Sequence, residues 1–303
     1  MLAAFAAETG ESRLAPILRR LNRPIRVGVT GRRGTGCATV TAALGHAGRT
    51  VVSGPADAVV LVVAETVKPE DLARCGPNTL VVLNKQDLLG AALTGQVAAV
   101  RARTGRPTVP MNALLAVASA TVPPDGELVG ALRAMADDPP ELSSTDAVTA
   151  GEHPVDAVTR GRLLAVLDRF GIAALTAALR AGADPASLPT LMCELSGLDD
   201  MLAALDAVTA AQRYRRLHAA LTEVRALAVR SGSPALWELL ASDRVVLAEM
   251  TAAAEVLRAD GLTLAANTDP RHWSRYGRGP LNSLHRRCAS ALTRGSLRLA
   301  ERR

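Results

Sequence analysis

Gly31 and Gly36 stand five residues apart in VGVTGRRGTGCATV, between an apolar run and a segment of helical spacing. A loop of that length at the start of a helix can gather successive backbone N–H groups on an anion, because first-turn amides have no intrahelical partner and carry the positive end of the dipole. The donors here would be the amides of Arg33, Gly34, Thr35, Gly36 and Cys37, with Arg32 or Arg33 lending charge. The spacing is that of G-x-x-x-x-G-K-[ST], in which the lysine reaches the β and γ phosphates and the hydroxyl ligates Mg²⁺. Cys37 and Ala38 occupy those two places in this chain, so the ammonium and the hydroxyl are both missing. Thr39 comes one residue late, which turns its hydroxyl by about 100° around a helix. A tight strand-to-helix turn that binds nothing satisfies the same glycines.

A second group is LVVLNKQDLL, where Asn84, Lys85 and Asp87 follow an apolar run. A carboxylate at Asp87 can accept both N1–H and N2–H₂ of guanine, a pair of donors that adenine does not present, while the Lys85 stem lies along the base. The bland alternative is a polar cap between a strand and a helix. Further on, Asn112, Ala113 and Leu114 follow the next apolar segment, a place where the backbone N–H of Ala113 would meet guanine O6.

The elements that must hold these groups alternate. Apolar strands are predicted over 25–30, 50–53, 58–64, 79–83 and 108–111, with helices over 37–46, from Pro69, and over 91–103. The continuous valines of 58–64 suit a central strand covered on both faces. Alternation of this kind predicts an α/β domain with a mostly parallel sheet, right-handed crossovers and helices on both faces. An amphipathic helix over 14–21 precedes it, and 137–155, rich in Pro, Ser and Gly, reads as a linker. Beyond it the spacing is helical: 158–167, 172–179, 188–195, a long segment 198–230, then 234–241 and 244–259 with Gly261 as its C-cap. The expected organisation is an N-terminal helix over 1–23, an α/β domain over 24–136, the linker, and an all-α domain over 156–303.

The loop, the tetrad and the tripeptide stand in the order of the P-loop GTPase family, which the chain resembles. ADAVVLVVAETVKPEDL with TLVVLNKQDLL is similar to the core of the bacterial dynamin-like branch, and LLAVLDRFGIAALTAALRAG with LSGLDDMLAAL resembles the opening of its helical part. The resemblance covers about residues 12–230. It implies a P-loop NTPase-type sheet and a nucleotide site at Gly31, Arg32, Arg33, Gly34, Thr35, Gly36, Cys37, Asn84, Lys85, Asp87 and Ala113. The departures lie on the phosphate side. Between the first helix and the valine strand there is only AGRTVVSGPAD, with Ser53, Gly54 and Pro55 where D-x-P-G belongs and no room for a switch loop. Asp57 is a displaced acid or a solvated turn residue.

Phosphoryl transfer depends on charge stabilisation by lysine and metal, so the expectation is a pseudo-GTPase: no catalytic residue, no metal site, and GTP or GDP held weakly without Mg²⁺. The expected role is a regulatory or scaffold partner, as a homodimer or as a heterodimer with an active GTPase paralogue. Two alternatives stand beside it: an active GTPase with Arg33 in place of the lysine, and an interaction scaffold with an empty pocket.

Composition narrows the partners. The chain has 303 residues and 49% apolar content, with a net charge of +6, yet Lys68 and Lys85 are its only lysines. An Ala, Arg, Val and Leu bias of this kind accompanies GC-rich coding sequence. With two each of Phe, Trp and Tyr there are few platforms for stacked bases, which argues against nucleic acid. Nine arginines against Glu301 make 271–303 the most basic stretch. Its helical spacing offers an anionic membrane surface a basic amphipathic helix over 279–303, or else packs an apolar stripe on the helical domain. The start MLAAFAAETGESR turns polar too early for a secretory segment, and Cys37, Cys75, Cys193 and Cys288 form no C-x-x-C pair. These features predict a cytoplasmic protein with reduced thiols, peripheral on the inner membrane face if the tail binds lipid.

Overall fold

The computed structural model describes residues 5–7, 11–264 and 269–301. The chain divides into two compact units, Ile25–Leu205 and Met1–Pro24 with Asp206–Arg303.

The first unit is α/β. Five strands, β1 (Arg26–Gly31), β2 (Thr50–Val51), β3 (Ala58–Ala64), β4 (Thr79–Asn84) and β5 (Thr108–Met111), form one sheet in the order β2-β1-β3-β4-β5. Every pairing is parallel. The run AVVLVVA is apolar at both parities because both faces are covered. Leu61, Val63, Val81 and Leu83 share a core with Val100, while Val60, Val62, Leu80 and Val82 point the other way and are equally buried. Helix α1 (Ala15–Leu21) belongs to the other unit; α2 (Cys37–His46), α3 (Pro69–Leu72), α4 (Leu93–Thr104) and α5 (Ala113–Thr121) are the crossovers and their sequel.

The rest of this unit is helical: α6 (Glu127–Asp137), α7 (Thr145–Ala150), α8 (Ala157–Arg180), α9 (Leu188–Ser196) and the start of α10 (Leu198–Ser231). The domain boundary expected over 137–155 does not fall there. That stretch contains α7, and its Val148 and Val155 are buried in one core with Leu132, Met135, Leu163 and Leu167. The buried guanidinium of Arg160 fastens it by donating to the carbonyls of Val148 at 2.6 Å and Gly151 at 2.8 Å. The Pro, Ser and Gly content marks turns here rather than a hinge. The helices expected over 158–167 and 172–179 form one element with a break at Asp168, whose φ of 58° and ψ of 176° are non-helical.

The second unit packs α1 against the later part of α10, α11 (Pro234–Ala241) and α12 (Asp243–Ala259) through Leu14, Ile17, Leu221, Val224 and Leu236. Gly261, at φ +85°, closes α12 as anticipated: Leu262 N–H returns to the Leu257 carbonyl at 2.9 Å. Helices α13 (Pro270–Gly277) and α14 (Ser283–Ala300) complete it. The stripe Cys288, Ala291 and Leu292 of α14 is buried against Ala253, Leu257, Tyr214 and Trp273, so the apolar side of the basic tail faces this core. Arg302 and Arg303 lie outside the described residues. No helix among the described residues is long and apolar enough to cross a membrane.

Candidate functional site

Strand register brings the three groups to one edge. Gly31 pairs with Val62, while Ala64 pairs with Asn84 and Asn84 with Met111, so the β1–α2 loop, the tetrad and the Asn112 turn all leave the carboxyl end of the sheet. The chain direction across the sheet reverses between β1 and β3, and the crevice beyond the strand ends at such a reversal is where open α/β sheets take ligands.

Asn84 joins the groups. Buried at 4% exposure, its Nδ2 donates to the Thr35 carbonyl at 2.9 Å and its Oδ1 accepts from the Ala113 N–H at 3.0 Å. Gly36 must be glycine for two reasons: its φ is +93°, and a Cβ there would run into Asn84 Nδ2. At Gly31 the restriction is space alone, since a Cβ would meet Thr35 Oγ1 and Cys37 Sγ, each at 2.8 Å.

The loop keeps unpartnered donors. Among the described residues nothing accepts from the backbone N–H of Arg33, Gly34, Gly36 or Cys37, and the left-handed Gly34 and Gly36 alternate along the concave turn. Thr35 is turned inward: its hydroxyl donates to the Arg32 carbonyl at 2.8 Å, and its amide donates there too at 3.3 Å. Arg32 is engaged. Its Nε contacts both carboxylate oxygens of Asp71, at 3.1 and 3.0 Å, and Nη2 donates to the Thr66 carbonyl at 3.2 Å. Arg33 is exposed and has no carboxylate partner among the described residues, so it is the cation left at the loop.

On the base side, Asp87 Oδ1 accepts from Asn112 Nδ2 at 2.9 Å. Desolvation raises the Asp87 carboxyl above its ordinary value, and the negative charge of Asp168 adds to this against the opposing pull of Lys85. Lys85 is exposed with a left-handed φ of 61°. The Ala113 amide is engaged by Asn84 and does not face outward as a free donor for a base. Gln86 is likewise tied down, donating through Nε2 to the Leu195 carbonyl at 2.9 Å, and Asn112 N–H donates to the Ser196 carbonyl at 2.8 Å.

Asp57 sits elsewhere. It precedes β3 at the amino end of the sheet, where Oδ2 accepts from Arg26 N–H at 2.9 Å. With β1 between them, it is roughly 17 Å from the loop at 3.3 Å per residue. It is an edge bracket, not a displaced metal ligand. Among the described residues no three His, Cys, Asp or Glu side chains gather as a metal site.

Two residues at this edge escaped the sequence reading. Asp71 was signalled only by KPED, a proline start with an acid at the third helical position, where it caps the Lys68 N–H at 2.9 Å. Asp168 had no signal, because its spacing is that of an ordinary helical residue. Comparison of the chain with family models, curated proteins and solved structures finds no match.

Proposed function

We propose that the carboxyl-edge crevice is a P-loop-type guanine-nucleotide site that binds without hydrolysing, and that the protein acts as a regulatory or scaffold partner resembling a degenerate dynamin-like GTPase. One observation carries this reading. Asn84 ties the glycine loop, the N-K-x-D strand end and the third turn into a single hydrogen-bonded unit, an arrangement that a chance glycine turn has no reason to share with a remote polar cap. Four open loop amides at the start of α2, with Arg33 beside them, suit a phosphate; a desolvated carboxylate at Asp87 suits the donor edge of guanine.

The residues at 37 and 38 carry neither an ammonium nor a hydroxyl, and Arg32 is held by Asp71, so of the charge that lowers a phosphoryl-transfer barrier only Arg33 remains at the loop, with no hydroxyl at position 38 to hold Mg²⁺. Loss of charge-assisted bonds worth about 1.5–3 kcal/mol each weakens a nucleotide by one or two decades per bond. Weak nucleotide binding follows.

A second reading has its own observation. The engaged Ala113 amide and the Gln86 tether leave fewer groups for a base, as expected of an interaction scaffold whose pocket is closed. Titration of fluorescent GTP and ATP analogues against the chain and its Asp87→Asn variant separates the two. Preference for the guanine analogue, lost on substitution, supports the nucleotide site; equal affinities or indifference to Asp87→Asn supports the scaffold. Phosphate release with Mg²⁺ above the buffer rate would revive an active enzyme using Arg33.

A further inference from the structure

In the second unit, α12, α13 and α14 pack on one another through Ala253, Leu257, Trp273 and Leu292. A cleft of about 460 Å³ opens between α13 and α14, with Arg271, Arg275 and Arg278 along one side. Arg271 and Arg275 are i and i+4 on one face of α13, and Arg278, the residue that caps its carboxyl end with helical φ and ψ, continues that face over roughly 10 Å of axis. The opposite face is settled by packing: Trp273 is buried and Gly277 lies against Ala289.

Of the α14 arginines, Arg286 and Arg287 lie outside the cleft lining, and the two nearer its rim, Arg294 and Arg298, are committed to carboxylates. Arg294 pairs with Glu249 at 2.8 Å, and Arg298 with Asp243 at 3.2 Å and Glu301 at 3.4 Å. Asp260 contacts His285, and Asp269 caps the Arg271 N–H at 2.9 Å. Among the described residues no carboxylate forms an ion pair with Arg271, Arg275 or Arg278. Three like charges facing one cavity repel each other, and this arrangement costs least when an anion neutralises them. Ser274 adds a hydroxyl with no partner among the described residues, whereas Thr293 is turned back onto the Ala289 carbonyl at 2.9 Å.

The geometry points to a binding site for a multiply charged phosphate anion in this cleft, separate from the carboxyl-edge crevice of the other unit. Guanidinium forks match phosphate oxygens bidentately, and three of them spread over two helical turns favour a polyphosphate or a phosphomonoester headgroup over a small monovalent ion.

Calorimetric titration with inorganic tripolyphosphate tests it on the full chain. With every protein carrying Arg33→Ala, so that the loop of the other unit contributes little, the double variant Arg275→Ala/Arg278→Ala is expected to bind at least about tenfold more weakly, with Arg286→Ala/Arg287→Ala unchanged. Arg275→Lys/Arg278→Lys keeps charge and fold while removing the forks, and should fall between them. Co-sedimentation with phosphatidylcholine vesicles carrying phosphatidic acid identifies the source. Sedimentation displaced by tripolyphosphate and lost in the double variant supports the cleft with a lipid headgroup as occupant; soluble binding without sedimentation supports it with a free phosphate. Absence of tripolyphosphate binding, or an affinity that Arg275→Ala/Arg278→Ala leaves unchanged, overturns the site. So does an equal loss in the Arg286→Ala/Arg287→Ala control.

Discussion

Arg32 Nε lies 3.1 and 3.0 Å from the two carboxylate oxygens of Asp71, a residue fully buried at the start of α3. The contact turns one of the two loop arginines into a structural brace between β1 and α3. It leaves Arg33 as the side chain at this loop able to meet an anion.

The two arginines should therefore separate in experiment. Arg32→Ala strands a buried carboxylate and is expected to lower unfolding free energy by about 3 kcal/mol in urea titrations, with little effect on guanine-nucleotide affinity per folded molecule. Arg33→Ala is expected to leave stability within about 0.5 kcal/mol and to weaken the nucleotide by about tenfold. The reverse pattern would return Arg32 to the phosphate side.

Removal of the Asn84 strap acts on all three segments together. Asn84→Ala loses two buried hydrogen bonds and leaves the Thr35 carbonyl and Ala113 amide without partners, a cost of about 2–3 kcal/mol. Gly36→Ala adds a left-handed strain to a collision with the same side chain, while Gly34→Ala, at φ +86° with open space around it, adds the strain alone. Denaturant midpoints should rank Gly34→Ala as the milder change, by at least about 1 kcal/mol.

Asp87 gives the site a pH signature. Its folded carboxyl titrates above the unfolded one, so between those two values the folded state binds more protons. Stability contributed at this position is present at low pH and is lost as pH rises through the window from the ordinary carboxylate value to the raised one. Asp87→Asn should flatten that part of the curve and stabilise the chain at neutral pH, as read by urea midpoints between acid and neutral buffers. Guanine binding has the opposite slope, since only the ionised carboxylate accepts two donors, and should strengthen as pH rises through the same window.

Asp168 occupies a region of φ and ψ that glycine alone enters freely, with strain of about 1–3 kcal/mol. Asp168→Gly is expected to raise the melting temperature despite its entropic cost, and Asp168→Ala to lower it or leave it unchanged. Removing the carboxylate in either variant should also bring the Asp87 titration down toward its ordinary value, measurable by NMR.

Much of the architecture was legible because it rests on short-range rules. Apolar runs such as AVVLVVA, their alternation with helical spacing, and the glycines that interrupt them predict a parallel sheet with a strand-to-helix loop at Gly31–Gly36, and the five strands fall where those runs lie. The replacement of lysine and hydroxyl by Cys37 and Ala38 is equally a property of the sequence, since no fold can give a side chain a charge it lacks. Packing decided the rest. Asp71 meets Arg32 across 39 residues and Asn84 meets Thr35 across 49, pairings that depend on strand register and on where a crossover lands. The stretch over 137–155 looked like a linker because turn residues are the same in a hinge and in a folded loop; only its burial beside Leu163 distinguishes them. The basic stretch 271–303 was plain in the sequence, but not that Arg271, Arg275 and Arg278 line one cleft without an ion-pair partner among the described residues, because a sequence counts charges while the three-dimensional arrangement determines which of them are paired.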